Sequence, residues 1–430
     1  MTQSTALHVI DALNVGGAQE LLVLLAKYKP PGRGMAVCVL QPDLAVAGRI
    51  EAHGVAVYAL NRRRPSIASP FRFLAYVFGC LRDIARLKKK LGADVVHGHL
   101  SDAEFLSILA GRAAGARKVG ITCHTPLLLP ERQKTGVVYR LRDRLRDRRR
   151  DRRREPRGDR LHDRPRRQRR DRLRDRLRDR LRILAMRLIY RRADAVVAVS
   201  TETFVLLRNV VGIDPARLFH IPNGVDCLAL GGADCDIPVP RRPPGGLRRE
   251  LGLGPDDAVL LNVGRLTAQK SQIHIIEALA VLSQDHPNLR LLIAGDGPDR
   301  NALADAIERH GLTGRAFLLG SRSDMADLLA LADVVVVSSL WEGTSLSIME
   351  SMAAGKTMAV TDIPGNRELL EDGVHALMFP PADPVAMAHT VDRLLTDRAL
   401  AERLAKAALA KGRDSFDIQR VVAAYEAVWK

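Results

Sequence analysis

The strongest constraint on the fold is an alternation, repeated in two halves of the chain, of short apolar runs with longer stretches of helical period. In the first half, residues 6–11, 35–41, 56–60, 93–99 and 118–124 read as short buried strands, and 193–200 and 218–222 continue the series. In the second half the strand-like runs are 258–263, 289–294, 316–319, 333–338 and 357–361, with helical stretches between them. Runs that are apolar on both faces belong to parallel sheets covered by helices. One long helical stretch over 384–411 and an amphipathic one over 418–429 close the sequence. The expected fold class is therefore α/β, with two doubly wound domains facing a cleft and ligands held outside the carboxyl ends of the strands. The expected boundaries are 1–226 for the first domain, 227–255 for a Gly/Pro/Arg-rich linker, 256–411 for the second domain, and 412–430 for a helical end that can cross back to the first.

Composition agrees with this architecture. Hydrophobic residues make up 47% of the 430, enough for large cores, yet aromatics are only 4%. The apolar positions are mostly Ala, Val and Leu, which favours helix-on-sheet packing over a β-sandwich. The net charge of +18 suggests a nucleic-acid or membrane binder until it is located. Residues 140–182 hold 23 Arg against 9 acidic residues, a net of +14, so the rest of the chain carries only +4. Within that insert acids recur every four residues, with Leu at its two ends and Pro156 and Pro165 in the middle. It is read as two helical arms around an irregular centre, an expanded repeat in a tolerant loop. A contact with anionic lipid is the next reading. Nucleic acid is not an expected partner, because no aromatic residues interleave the Arg for base stacking.

No run approaches the roughly 20 apolar residues of a membrane span. The first residues lack a basic region before their apolar segment, so no signal peptide is expected. Five scattered cysteines without CxxC spacing suit a reducing compartment, and the expected location is cytoplasmic. Arg62–Arg64, Arg72, Arg82, Arg86 and Lys88–Lys90 flank the apolar stretch 71–81. A basic amphipathic segment of this kind can lie on an anionic membrane surface, which would make the protein peripheral on the inner face of the cytoplasmic membrane. The plainer reading is a packed helix with a solvated rim.

Four clusters carry chemistry. Gly16 and Gly17 sit where a strand turns into a helix, whose first N–H groups are open to an anion. They lack the spacing of a dinucleotide fingerprint. Gly264-Arg265 ends a strand and Lys270 follows; a guanidinium fork and a point charge beside a glycine turn suit a diphosphate. Glu342, Gly343, Thr344, Ser345 and Leu346 run into a helix predicted over 347–354, with Glu350 inside it. The N–H groups of residues 344–347 make a further site for negative oxygen. His124 ends the fifth strand-like run.

Together these segments resemble family 4 of the GT-B glycosyltransferases. The resemblance rests on Gly16-Gly17-Ala18-Gln19, Ile221-Pro222-Asn223-Gly224-Val225-Asp226, Gly264-Arg265 with Lys270, Ala294-Gly295-Asp296-Gly297-Pro298, the pair Glu342 and Glu350, and Met352-Ala353-Ala354-Gly355-Lys356. It covers nearly the whole chain apart from about 140–182, in the family's order and spacing. It implies two Rossmann-like domains, a nucleotide-sugar donor held mainly by the second, and a glycan or lipid-linked acceptor held mainly by the first. It further implies transfer with retention of anomeric configuration, as in cell-surface polysaccharide or glycolipid assembly. Arg265 and Lys270 would bind the diphosphate, Glu350 the ribose, and Glu342 the sugar. Gly343 to Leu346 would line the sugar and phosphate pocket, Gly16 and Gly17 would close on the diphosphate, and His124 would face the sugar. Neither a metal nor another cofactor is implied. Ser345 stands where a hydrophobic residue or proline is common in the family, and Ser351 where alanine is usual; both positions bear on donor preference.

Other readings carry less. A glycosidase acid/nucleophile pair would have to flank one bond, whereas Glu342 falls in a loop and Glu350 in a helix. His97, His99 and His124 could form a three-histidine metal site, although a structural or acceptor-lining role suits them better. Asp234-Cys235-Asp236 reads as a solvated turn. The rival functions are a degenerate scaffold that binds anionic lipid or nucleic acid through the Arg-rich insert, and a nucleotide-sugar epimerase.

Overall fold

The computed structural model describes residues 4–14, 16–66, 68–124, 183–231 and 244–430. The Arg-rich insert 140–182 and the turn 234–236 lie outside the described residues. The chain divides into two compact units, residues 1–221 with 424–430 and residues 222–423.

The first unit holds a seven-stranded, all-parallel sheet: β1 (Thr5–Ile10), β2 (Gly34–Val39), β3 (Ala56–Ala59), β4 (Val95–His99), β5 (Lys118–Cys123), β6 (Ala195–Ala198) and β7 (Leu218–His220). Their order is β3-β2-β1-β4-β5-β6-β7. Every residue of β4 and β6 is buried, as expected of central strands covered on both faces. Close approach of neighbouring side chains accounts for the glycines among them. A Cβ on Gly120 would lie 2.5 Å from Nδ1 of His97, and one on Gly98 would lie 2.5 Å from the carbonyl oxygen of Ala103. The sheet therefore has room for a large polar ring in its interior.

The second unit holds β8 (Ala258–Val263), β9 (Leu289–Ala294), β10 (Ala316–Gly320), β11 (Val334–Val337), β12 (Thr357–Thr361) and β13 (Leu377–Phe379), again all parallel. Their order is β10-β9-β8-β11-β12-β13. Helices cover both faces, with cores built on Leu261, Ile348 and Met352 on one side and Leu260, Leu279 and Leu404 on the other. Each unit is thus a Rossmann-like sheet covered by helices.

Most predicted strands lie within a few residues of the observed ones. Three differences have physical causes. The strand β13 was not predicted because its three residues are too short to show a period. The helical stretch 384–411 is two helices, Pro384–Thr396 and Arg398–Phe416. Asp397 ends the first and caps the second by accepting from the N–H of Leu400 at 3.0 Å. The linker reading of 227–255 is also corrected. Cys227, Leu230, Leu247 and Leu253 are buried in the second unit's core, on short helices Cys227–Leu230 and Pro244–Glu250. Their Gly- and Pro-rich neighbours hid the apolar pattern. The helix Ile418–Trp429 begins in the second unit and ends in the first.

Candidate active site

In an open parallel sheet the ligand crevice opens where successive connections leave on opposite sides. In the second unit that reversal falls between β8 and β11. The segment after β8 begins Gly264-Arg265, and the segment after β11 runs from Ser338 to Glu342, so both predicted clusters emerge at the same point.

The turn after β8 is fixed by its neighbours. Gly264 N–H donates to Ala294 O at 3.0 Å, and Leu266 N–H donates to Asp296 O at 3.0 Å. Gly295, at φ +140°, lies so close that a Cβ would sit 2.0 Å from the Gly264 carbonyl oxygen. A Cβ on Gly297 would meet the Leu266 oxygen at 2.4 Å. The Gly295–Pro298 segment is thus a template for the Arg265 turn. Arg265 itself is exposed, and among the described residues its guanidinium has no hydrogen-bond or ion-pair partner.

Lys270 folds back over Gly264, its Cδ and Cε 3.4 Å from where a Cβ would stand. Its ammonium donates to Oε1 of Glu342, a carboxylate only 7% exposed, which also accepts from the Ser339 hydroxyl at 2.7 Å. Gln269 donates through Nε2 to Trp341 O, and Leu340 N–H donates to Gln269 O, each at 2.8 Å. Ser338 donates to Lys270 O at 2.6 Å. These bonds tie the 265–271 turn to the 338–342 segment as one piece. Arg265 is thus open, whereas Lys270 is paired with Glu342.

Gly343 and Thr344 follow in the loop. A Cβ on Gly365 would lie 2.5 Å from the Glu342 carbonyl oxygen and 2.9 Å from that of Gly343, so this loop rests directly on Gly365. The helix is Leu346–Ala353, with Ser345 as N-cap, one residue earlier than predicted. The Ser345 hydroxyl pairs with that of Ser347 at 3.1 Å and caps no backbone N–H. The first-turn N–H groups of this helix begin at residue 346, not 344. Ser345 and Ser351 are both buried, and Ser351 bonds back to Ser347 O at 2.7 Å. Glu350 is partly exposed between the buried Met349 and Ser351.

In the first unit the reversal falls between β1 and β4. After β1, Asp11 accepts from the N–H groups of Ala103 at 2.8 Å and Asp102 at 3.3 Å, capping the helix Ser101–Ala113. Burial raises its pKa to about 6, against the pull of these backbone donors. Gly16 caps the helix Gly17–Lys27 in an extended conformation, and a Cβ there would lie 2.7 Å from Oε1 of Gln19. The buried Gln19 holds the loop by donating to Ala12 O at 3.0 Å and Asn14 Oδ1 at 2.7 Å. Gln19 was visible in the sequence motif, but its loop-holding role was not.

His124 follows β5 and belongs to an imidazole cluster that the sequence reading missed in part, since His8 was not singled out. His8 Nδ1 lies 3.0 Å from His99 Nε2, and His99 Nδ1 lies 3.2 Å from His124 Nε2. His97 Nε2 bonds Thr122 Oγ1 at 2.7 Å and its Nδ1 accepts from Trp429 Nε1 at 3.2 Å. Both ring nitrogens of His97 and of His99 are taken up by these bonds, and among the described residues no group of three His, Cys, Asp or Glu could hold a metal. Loss of hydration lowers the pKa of His8 and His124 to about 3 and those of His97 and His99 well below the usual value. All four are neutral rings.

The profile described as Glycosyltransferase Family 4 matches residues 15–227, and that of Glycosyl transferases group 1 matches residues 246–411. The chain belongs to glycosyltransferase family 4. It is 35% identical over 162 residues to an alpha-D-kanosaminyltransferase of Streptomyces kanamyceticus, covering 37% of this chain and 42% of that protein. It is 28% identical over 228 residues to the UDP-Gal:alpha-D-GlcNAc-diphosphoundecaprenol alpha-1,3-galactosyltransferase of Escherichia coli, covering 50% and 57%. The matches thus span roughly half the length of these relatives. Among solved structures this glycosyltransferase resembles one from Rickettsia africae with a TM-score of 0.74 at 18% identity, covering 100% of this chain and 98% of that one. It also resembles Anabaena Alr3699/HepE in complex with UDP and glucose, with a TM-score of 0.72 at 20% identity, covering 98% of each. These likenesses are to the GT-B fold.

Proposed function

We propose that the protein is a retaining glycosyltransferase that moves a sugar from a nucleoside diphosphate to a glycan or lipid-linked glycan, in cell-surface polysaccharide or glycolipid assembly. The observation that carries this reading is the open Arg265 guanidinium beside the Lys270–Glu342 pair, next in the fold to the start of the helix Leu346–Ala353. Departure of a nucleoside diphosphate builds charge on phosphate oxygens, so pre-aimed donors lower the barrier. Arg265 would grip the diphosphate as a fork and the helix N-terminus would add backbone N–H groups. Lys270 would share its protons between Glu342 and a phosphate oxygen, leaving the carboxylate to accept from a sugar hydroxyl. Glu350 would hold the ribose. Gly16 and Gly17 would approach the diphosphate, and His124 would meet the sugar. These side chains supply the positive charge without a metal or another cofactor. A UDP-glucose complex of the Anabaena structural relative and the lipid-linked acceptor in the name of the Escherichia coli relative support this donor and acceptor chemistry.

A cytoplasmic, peripheral location on an anionic membrane belongs to the same proposal. No helix among the described residues is long and apolar enough to cross a membrane. The helix Pro70–Leu91 turns Tyr76, Cys80, Ile84 and Leu87 inward, yet leaves Phe71 86% and Phe78 68% exposed beside Arg72 and Arg82. That combination suits an interfacial helix.

The test is release of nucleoside diphosphate from labelled nucleotide sugars, with and without polyprenyl-diphosphate glycan acceptors and with chelator present. The proposal expects labelled glycan, retained configuration by NMR, and no effect of chelator. Donor turnover to an isomeric nucleotide sugar without acceptor would establish an epimerase instead. Lipid or nucleic-acid binding with no donor binding would establish a degenerate scaffold.

A further inference from the structure

Glu342 is held by one oxygen only. Its Oε1 accepts from the Lys270 ammonium and from the Ser339 hydroxyl. Among the described residues Oε2 accepts no hydrogen bond, and it is not closed off from solvent. A carboxylate anchored in this way turns its second oxygen in a set direction, provided that Ser339 itself stays in place.

What holds Ser339 comes from the neighbouring strand. Thr361, the last residue of β12, donates its hydroxyl to Ser339 O at 2.8 Å. A carbonyl can only accept, so the Thr361 hydrogen is committed to that bond and its oxygen is left to accept. Asn366 fills that place, with Nδ2 3.2 Å from Thr361 Oγ1 and 2.9 Å from Thr361 O. The same reasoning fixes the amide, because the atom that faces the Thr361 carbonyl must be the donor. The bonds therefore run in one sense: Asn366 to Thr361, Thr361 to Ser339, and Ser339 to Glu342. Thr361 and Asn366 are wholly enclosed and Ser339 is 1% exposed, so water cannot substitute for a missing member. Asn366 Oδ1 is buried without a partner, which means that the residue gives up hydration at one end of its amide to donate at the other. The adjoining Gly365 lies against the carbonyl oxygens of Glu342 and Gly343, so the 361–366 segment meets the Glu342 loop through backbone as well.

We infer that Thr361 and Asn366 are positioning residues for Glu342, acting through Ser339 to aim Oε2 as an acceptor for a ligand hydroxyl. Being enclosed, neither touches the ligand itself. That the hydroxyl belongs to the donor sugar rests on the proposed function; the series of bonds does not. Breaking the series should then separate two ligands. A nucleotide sugar offers the hydroxyl that Oε2 would accept from, whereas the bare nucleoside diphosphate lacks it.

The test is calorimetric titration of the full chain with UDP, GDP, ADP and dTDP, each alone and as its hexose conjugates. Thr361→Val deletes the hydroxyl and keeps the shape. It should weaken the nucleotide sugar about tenfold and change the matching diphosphate less than twofold, and Thr361→Ser should restore the wild-type ratio. Asn366→Ala, which leaves the Thr361 bond to Ser339 in place, should show the same pattern more weakly. Equal losses for both ligands, or none for either, would overturn the inference. A cycle of melting temperatures needs no ligand: Thr361→Val should lower the melting temperature less in a Glu342→Ala background than in the wild type. Equal drops in the two backgrounds would overturn the series of bonds. If no wild-type titration detects binding, the functional reading fails while this cycle still decides the series.

Discussion

Lys270 and Glu342, 72 positions apart, form a direct ion pair at the carboxyl end of the second sheet, and the carboxylate is also held by Ser339. The pair joins the turn after β8 to the loop after β11, so it couples the stability of the site to its electrostatics. Removing one partner from a largely buried pair leaves an uncompensated charge. Lys270→Ala should therefore cost about 3 kcal/mol in denaturant unfolding. Lys270→Met combined with Glu342→Gln should regain most of that stability. Nucleoside diphosphate binding should remain weakened in both. If the double variant bound as tightly as wild type, Lys270 would have only a structural role.

The glycine template predicts a second effect. Gly295→Ala would place a methyl 2.0 Å from the Gly264 oxygen at a φ of +140°, and Gly365→Ala would press on the carbonyl oxygens of Glu342 and Gly343. Each should cost about 1–3 kcal/mol and displace the donor-side loops. Calorimetry should show donor affinity falling at least tenfold, while circular dichroism of the folded state stays native. Unchanged affinity would show that these turns tolerate movement.

Acid should destabilise the fold through the imidazole cluster. All four rings have folded pKa values lowered below 6.5, to about 3 for His8 and His124. Their contribution is thus fully present above the unfolded value and lost as pH falls, because the unfolded chain binds protons that the folded one refuses. Each contributes up to about 1.4 kcal/mol per pH unit below about pH 6. Denaturant midpoints measured from pH 7 to pH 4.5 should fall steeply, and less steeply in His124→Gln. A flat profile over that range would mean that the rings protonate in the folded state.

Legibility in the sequence followed physical scale. The strands could be read because buried parallel strands are continuous apolar runs, and Gly264, Arg265, Lys270, Glu342 and Glu350 could be read because they sit at fixed offsets from those runs. What could not be read was pairing across the fold. Nothing local shows that Lys270 reaches Glu342, that Gly365 supports the Glu342 loop, or that His8 continues the line of His99 and His124. His8 was hidden inside an apolar strand, where period alone gives no reason to single it out. Asp397, inside an unbroken helical pattern, splits a helix through its capping bond, which a periodicity count does not register.

The exposed stripe on the helix Pro70–Leu91 predicts membrane affinity. Phe71, Leu74 and Phe78 are exposed at spacings of three and four, on one face of that helix. Burial of each apolar side chain contributes about 1.5 kcal/mol. Changing all three to Ser should lower binding to vesicles containing anionic phospholipid at least tenfold, without altering the melting temperature. Equal binding by the variant would remove this helix from the membrane account.

The central claim is that the second unit holds a nucleoside diphosphate through Arg265. Calorimetric titration with UDP, GDP, ADP and dTDP tests it most directly, on the wild-type chain and on Arg265→Ala. One of these ligands should bind the wild type at a single site, and the variant should lose at least tenfold in affinity while melting at the same temperature. Absence of binding to every diphosphate, or equal binding by the variant, would contradict the claim.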